Sequence, residues 1–154
     1  MSPQSEMSFQ LRRVFRAPRH KVWAAWTRRE QLEQWMCKDD PTHNARYVEL
    51  DVRPGGRYVI EIPQPGGKYV GTGTFREVRA PEKLVFTWAW KRLPEKPGEA
   101  LQDAESLLTV ELVDRGASTE MIFTHENFEN AEIREGTRTG WLGCFEHLAK
   151  VLAG

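Results

Sequence analysis

The sequence predicts an α+β fold, with a curved antiparallel sheet of about six to seven strands around one long C-terminal helix and two short helices after the first strand. Three observations carry this expectation. Between residues 47 and 124 apolar side chains recur with a period of two, interrupted by Pro/Gly turns. The final segment changes to helical spacing, with Trp141, Phe145, Leu148 and Leu152 at i, i+4, i+7 and i+11. Two short tryptophan-bearing stripes, Val22/Trp23/Trp26 and Leu32/Trp35/Met36, lie between the first strand and the rest.

Each element follows from its residues. Ser8–Arg16 reads as a strand carrying Phe9, Leu11, Val14 and Phe15, with a break in phase at its two arginines. Pro18 suits the first turn of a helix, where its missing N–H costs least. Thr27, with Glu30 three residues on, has capping-box spacing for a second helix. Residues 39–44 form a polar loop. Tyr47–Val52 is a strand with Val48, Leu50 and Val52 on one face, followed by Tyr58–Ile62 with Tyr58, Ile60 and Ile62 in phase. Pro54-Gly55-Gly56 joins them as a turn, where glycine takes positive φ without steric penalty. Tyr69, Gly71, Gly73 and Phe75 share a face of the next strand, and Leu84, Phe86, Trp88 and Trp90 a face of the one after. Leu93–Asp103, rich in Pro, Gly and charge, is expected to be a mobile loop. Leu107–Val113 and Thr119–Thr124 form a closing hairpin, and the last helix begins near Asn130 or Ala131. Residues 1–7 read as a disordered leader and 8–154 as a single domain.

Composition sets limits. The 154 residues carry 22 basic and 22 acidic side chains, so charge balance gives no argument for a nucleic-acid partner. No apolar run reaches the ~18 residues of a membrane span, and the N-terminus lacks the apolar core of a signal peptide. Cys37 and Cys144 lie far apart without metal-ligand spacing and read as free thiols in a reducing, cytoplasmic setting. No metal and no cofactor are expected.

Five stretches, in this order, resemble one known family: APRHKVWAAWTRREQLEQWM, LDVRPGGRY, GTGTFREVRAPEKLVFTW, LTVELVDRGASTEMIFTHENF and GWLGCFEHLAKVL. The chain is similar to the activator of heat-shock-protein-90 ATPase homologue-like family, within the START-like (SRPBCC) superfamily, from Phe9 to Leu152. The resemblance implies the helix-grip fold and the binding of hydrophobic or amphipathic small molecules between sheet and helix. In some superfamily members it implies cyclase, dehydratase or hydrolase activity, and the family name suggests a chaperone partner.

The phases above place a candidate cavity wall. Tyr58, Ile60, Tyr69, Phe75, Phe86, Trp88, Trp90, Met121 and Phe123 face inward from the sheet. Trp141 and Phe145 face them from the helix, and Trp23 and Trp35 close an end. Aromatic walls of this kind suit a small hydrophobic or aromatic ligand. Core filling is the structural alternative for every one of them. His125, in phase with Phe123, is the candidate acid/base should the chain be an enzyme; alternatively it is a core histidine with satisfied hydrogen bonds. Glu61 is expected to face solvent. Ligand binding without catalysis, an enzyme of the same fold and a chaperone-interacting protein therefore remain as readings, in a monomer or a homodimer.

Overall fold

In the computed structural model, residues 7–36, 45–64, 66–93 and 105–153 are described. They form, in order, β1 (Phe9–Phe15), α1 (Arg19–Thr27), α2 (Arg29–Trp35), β2 (Arg46–Leu50), β3 (Arg57–Gln64), β4 (Gly67–Arg79), β5 (Lys83–Leu93), β6 (Ser106–Arg115), β7 (Ser118–Glu126) and α3 (Ala131–Ala153). One sheet runs β1-β7-β6-β5-β4-β3-β2 with every neighbour antiparallel. Its apolar face is covered by the helices, the helix-grip arrangement expected of an antiparallel sheet with one apolar side. The expected loop over Leu93–Asp103 falls, past Leu93, outside the described residues, as do Cys37, the 39–44 loop, Pro65 and positions 1–6.

Local chemistry explains where the elements depart from the expected pattern. In β1 the alternation is unbroken: Phe9, Leu11 and Phe15 are buried, while Val14 points outward at 59% exposure. Arg13 holds the inward phase because it lies at the edge of the sheet. There its guanidinium reaches Glu146 of α3 at 2.8 Å and sits over the Phe15 ring. Thr27 is the last residue of α1 rather than the cap of α2. Its hydroxyl donates to the Trp23 carbonyl at 2.8 Å, and Arg28 occupies the cap position with no side-chain bond. The strand expected over Tyr47–Val52 is shorter, and its inward residue is Tyr47, with Val48 exposed. A register shift between Tyr47 and Glu49 inserts one residue into the ladder. Such a bulge puts Tyr47 and Leu50, three apart, on one face.

The Pro54 turn uses its two glycines differently. Gly55 has φ +85, a conformation glycine adopts freely. A Cβ on Gly56 would lie 2.0 Å from the Asp51 carbonyl oxygen, so the loop can close only without one. The closed loop is stitched to β4 by Gly55 N–H to the Phe75 carbonyl and Phe75 N–H to the Gly56 carbonyl, both 2.8 Å. At the other end of the fold, α3 begins where expected: Asn130 Oδ1 accepts the Ile133 N–H at 2.8 Å.

Candidate functional site

The interior between sheet and α3 is built around Trp26. In α1, Val22, Ala25 and Trp26 stand at i, i+3 and i+4 and are all buried. The Trp26 ring meets Trp35 edge-on at 4.7 Å and lies 6.0–6.3 Å from Phe86, Phe123, Trp141 and Phe145. Phe123 in turn packs on Trp141 at 4.7 Å and on Phe145 at 5.1 Å. The facing aromatic residues therefore pack against one another, as side chains of a protein core do. Among the described residues, a small void of about 10 Å³ is lined by Trp26, Leu32, Met36, Tyr47, Leu50, Tyr58, Phe75, Leu84 and Phe86. That is room for about one water molecule.

One polar atom in this interior stands apart. Among the described residues, the Trp26 indole N–H is buried with no hydrogen-bond acceptor. Its neighbour Trp35 shows the usual outcome, donating to the Ala25 carbonyl at 2.9 Å and so tying α2 to α1. Tyr58 is likewise satisfied, its hydroxyl donating to the Thr87 carbonyl at 2.5 Å. Gly73, paired opposite Tyr58, makes this possible. A Cβ there would lie 1.9 Å from the Thr87 oxygen and 2.6 Å from the tyrosine hydroxyl. The strand glycine is a slot for an aromatic side chain crossing the sheet.

The expected wall residues divide into three groups. Tyr58, Ile60, Phe75, Phe86, Trp88, Met121, Phe123, Trp141, Phe145 and Trp35 are all buried on the interior side. Trp90 and Tyr69 lie at the open end of the same face: Tyr69 is 38% exposed, and its ring meets Trp90 edge-on at 6.3 Å. A stripe continues inward from Trp90 to Trp88 and on to Trp141, at 5.1 and 5.6 Å. Trp23 does not belong to this interior. It is half-buried on the flank of α1, in a groove against the end of α3. The helical stripe was the available signal: Trp26 repeats after Val22 at i+4, whereas Trp23 is rotated about 100° from Val22. Tyr47 and Trp26, both at the void, were not among the expected wall residues.

His125 is buried, and both ring nitrogens are occupied. Nδ1 lies 3.2 Å from the Trp141 indole nitrogen, which is a donor only, so Nδ1 accepts. The proton therefore sits on Nε2 and is donated to Ser106 Oγ at 2.7 Å, and Ser106 Oγ donates to the Trp88 carbonyl at 3.2 Å. Burial holds the imidazole pKa down to about 3. The imidazole has no lone pair left for a substrate proton, and His125 does not line the void. It is the satisfied core histidine, bound to Ser106 of β6 and Trp141 of α3. Glu61 faces outward and pairs with Lys68 at 2.9 Å, so it does not meet His125. Among the described residues no cluster of three or more His, Cys, Asp or Glu is placed to hold a metal ion, and no helix is long and apolar enough to cross a membrane. Cys144 is buried on α3.

A seven-stranded antiparallel sheet gripping one long C-terminal helix, with an aromatic interior, defines a START-like protein of the helix-grip class. The family described as "Activator of Hsp90 ATPase homolog 1-like protein" matches residues 16–153, and the chain belongs to it. Solved structures share the fold. A Chromobacterium violaceum protein has 21% identity and a TM-score of 0.81, over 96% of this chain and 99% of that one. A Rhizobium loti protein has 23% identity and a TM-score of 0.78, over 94% and 96%. An Arthrobacter aurescens protein has 26% identity and a TM-score of 0.81, over 99% and 90%. No curated protein matches.

Proposed function

We propose that the chain binds a small apolar or aromatic molecule carrying one hydrogen-bond acceptor, seated at the void between Trp26, Tyr47, Tyr58 and Phe86. The observation that carries this reading is the Trp26 indole N–H, buried without an acceptor among the described residues, on a side chain that also lines that void. Buried donors are almost always paired, and an unpaired one costs about 1–3 kcal/mol. A ligand carbonyl or ether oxygen would recover that cost where a pure hydrocarbon would not. The family's helix-grip fold, commonly a ligand-binding one, agrees with it. The void is too small as it stands, so binding requires the wall to part. Its most yielding side is β2, an edge strand, with Leu32 and Met36 at the end of α2 beside it. The expected wall residues Trp88, Trp90, Tyr69 and Trp141 continue the aromatic surface toward the open end. A catalytic reading lacks such support, because the imidazole of His125 is fully engaged.

The test is a matched pair of probes, acetophenone and ethylbenzene, which differ at the acceptor. Isothermal calorimetry and thermal melting on the parent protein should show saturable binding and a raised Tm for acetophenone, since a ligand preferring the folded state stabilises it. Ethylbenzene should bind about tenfold more weakly. Trp26→Phe should abolish that preference. Equal affinity for the two probes, or no binding of either, overturns the reading.

A further inference from the structure

Trp23 and three exposed cations meet on a face that the sheet–helix interior does not use. The outer side of α1, one side of α2 with Gln31 and Gln34, and the last turn of α3 enclose an open groove of about 1140 Å³. Its floor is apolar, formed by the half-buried Trp23, Ala24, Val151 and Leu152. Its rim carries Lys21, Arg28 and Lys150, all exposed, with His20 beside them. No Asp or Glu lines it, although the whole chain carries as many acidic as basic residues. Glu146, a turn before Lys150, feels the charge of that lysine but is bonded to Arg13 at 2.8 Å. Lys21, Arg28 and Lys150 form no ion pair with another described residue.

We infer that this groove is a docking surface for an acidic amphipathic peptide segment of another protein. The apolar side chains of the segment would lie on Trp23, Val151 and Leu152, and its carboxylates would meet Lys21, Arg28 and Lys150. Charge complementarity selects this occupant: an uncompensated cationic rim around an apolar floor favours a partner with the opposite rim. A half-buried tryptophan in such a floor is among the residue types that most often anchor an interface. Small-molecule sites are more enclosed and of about 300–1,000 Å³; this groove is open and spans three helices. A second copy on a two-fold axis would set the same cationic rim against itself. A flat anionic membrane would touch the rim but leave the concave floor unfilled. The inference stands independently of the interior site.

The experiment uses the full chain and two fluorescein-labelled synthetic peptides of about 14 residues, roughly four helical turns. One is built from glutamate and leucine, the other from lysine and leucine in the same order. Fluorescence anisotropy should show saturable binding of the acidic peptide only, weakened by about 0.5 M salt through screening. The double variant Lys21→Glu/Lys150→Glu alters two exposed side chains and should melt like the parent. It should bind the acidic peptide about tenfold more weakly, as two reversed rim contacts would cost. Amide shifts in 15N-labelled protein should concentrate on α1 and the end of α3. Equal binding of both peptides, unchanged affinity in the double variant, or shifts on the inner face of the sheet would each overturn the inference. So would preferential binding of phosphatidylserine vesicles over the peptide, or self-association that the double variant abolishes while the peptide fails to bind.

Discussion

His125 sits between two side chains that require opposite roles of its ring, and this fixes its protonation. Trp141 can only donate, so Nδ1 must stay unprotonated, and Ser106 receives the Nε2 proton. A second proton would point at the indole N–H in a pocket otherwise lined by Phe9, Phe123 and Phe128. Burial thus keeps the folded-state pKa near 3, against an ordinary value of 6.5. The sign of the linkage follows. Above pH 6.5 the ring is neutral in both the folded and the unfolded chain, and stability is unaffected. Below it the unfolded chain gains a proton that the folded one refuses, so stability falls by about 1.4 kcal/mol per pH unit. Across the whole window down to pH 3 the loss is on the order of 4–5 kcal/mol. Glu120 and Glu146 are held below their ordinary 4.5 by Arg115 and Arg13, so their contributions fade only below that pH. The interval from 6.5 to 4.5 therefore reports the histidine. Urea unfolding at several pH values, compared with His125→Gln, should show the slope in the parent and its loss in the variant. An imidazole NMR titration with a midpoint near 6.5 would refute the assignment.

Helix α1 shows how periodicity separates two adjacent aromatic roles that composition merges. Val22, Ala25 and Trp26 occupy the buried stripe, while Trp23 turns onto the flank. Trp26→Ala should cost about 3–5 kcal/mol, the range for emptying a large core site. Trp23→Ala should cost about 1 kcal/mol or less, as a half-exposed site that leaves no cavity. Chemical denaturation of the two variants measures both, and equal losses would contradict the assignment of faces. The same element-level logic explains what the sequence made legible. Strands β3, β6 and β7 and the second half of α3 repeat their apolar residues without interruption, so their faces could be read directly. Strand β2 could not, because its bulge between Tyr47 and Glu49 shifts the phase within five residues. The Thr27 cap failed because a threonine hydroxyl can also bond backward to the carbonyl four residues earlier, as it does here. For the site, the period of two identified which rings face inward. It carried no information on whether those rings leave space between them. That depends on side-chain volume across elements far apart in sequence: Trp26 against Phe123 and Trp141, Tyr58 into the slot at Gly73.

At the scale of the whole molecule the two edges of the sheet differ, and this difference determines where the interior can open. The β1 edge is anchored from several directions. Arg13 is bonded to Glu146 of α3, the Ala17 carbonyl accepts from the buried Thr119 hydroxyl at 2.7 Å, and the Met7 carbonyl accepts from Phe128 N–H at 3.2 Å. The β2 edge is a short bulged strand whose main neighbours are β3 and α2, with Glu33 Oε2 accepting the Tyr47 N–H at 2.8 Å. Amides with few buried contacts around them open at lower free energy than those of a central ladder. Native-state hydrogen exchange should therefore show β2 and the end of α2 exchanging through local opening, at least about tenfold faster than β6 and β7. The void lies beneath the same edge, lined by Tyr47 and Leu50 from β2 and by Leu32 and Met36 beside it. Saturating acetophenone should then slow exchange at β2 and α2 selectively, because a ligand seated in the widened void adds contacts to these elements and so resists their further local unfolding. Protection rising uniformly across the sheet would mean the ligand only shifts global unfolding. Protection confined to β1 and β7 would place the entrance at the opposite edge and overturn this account of how the wall parts.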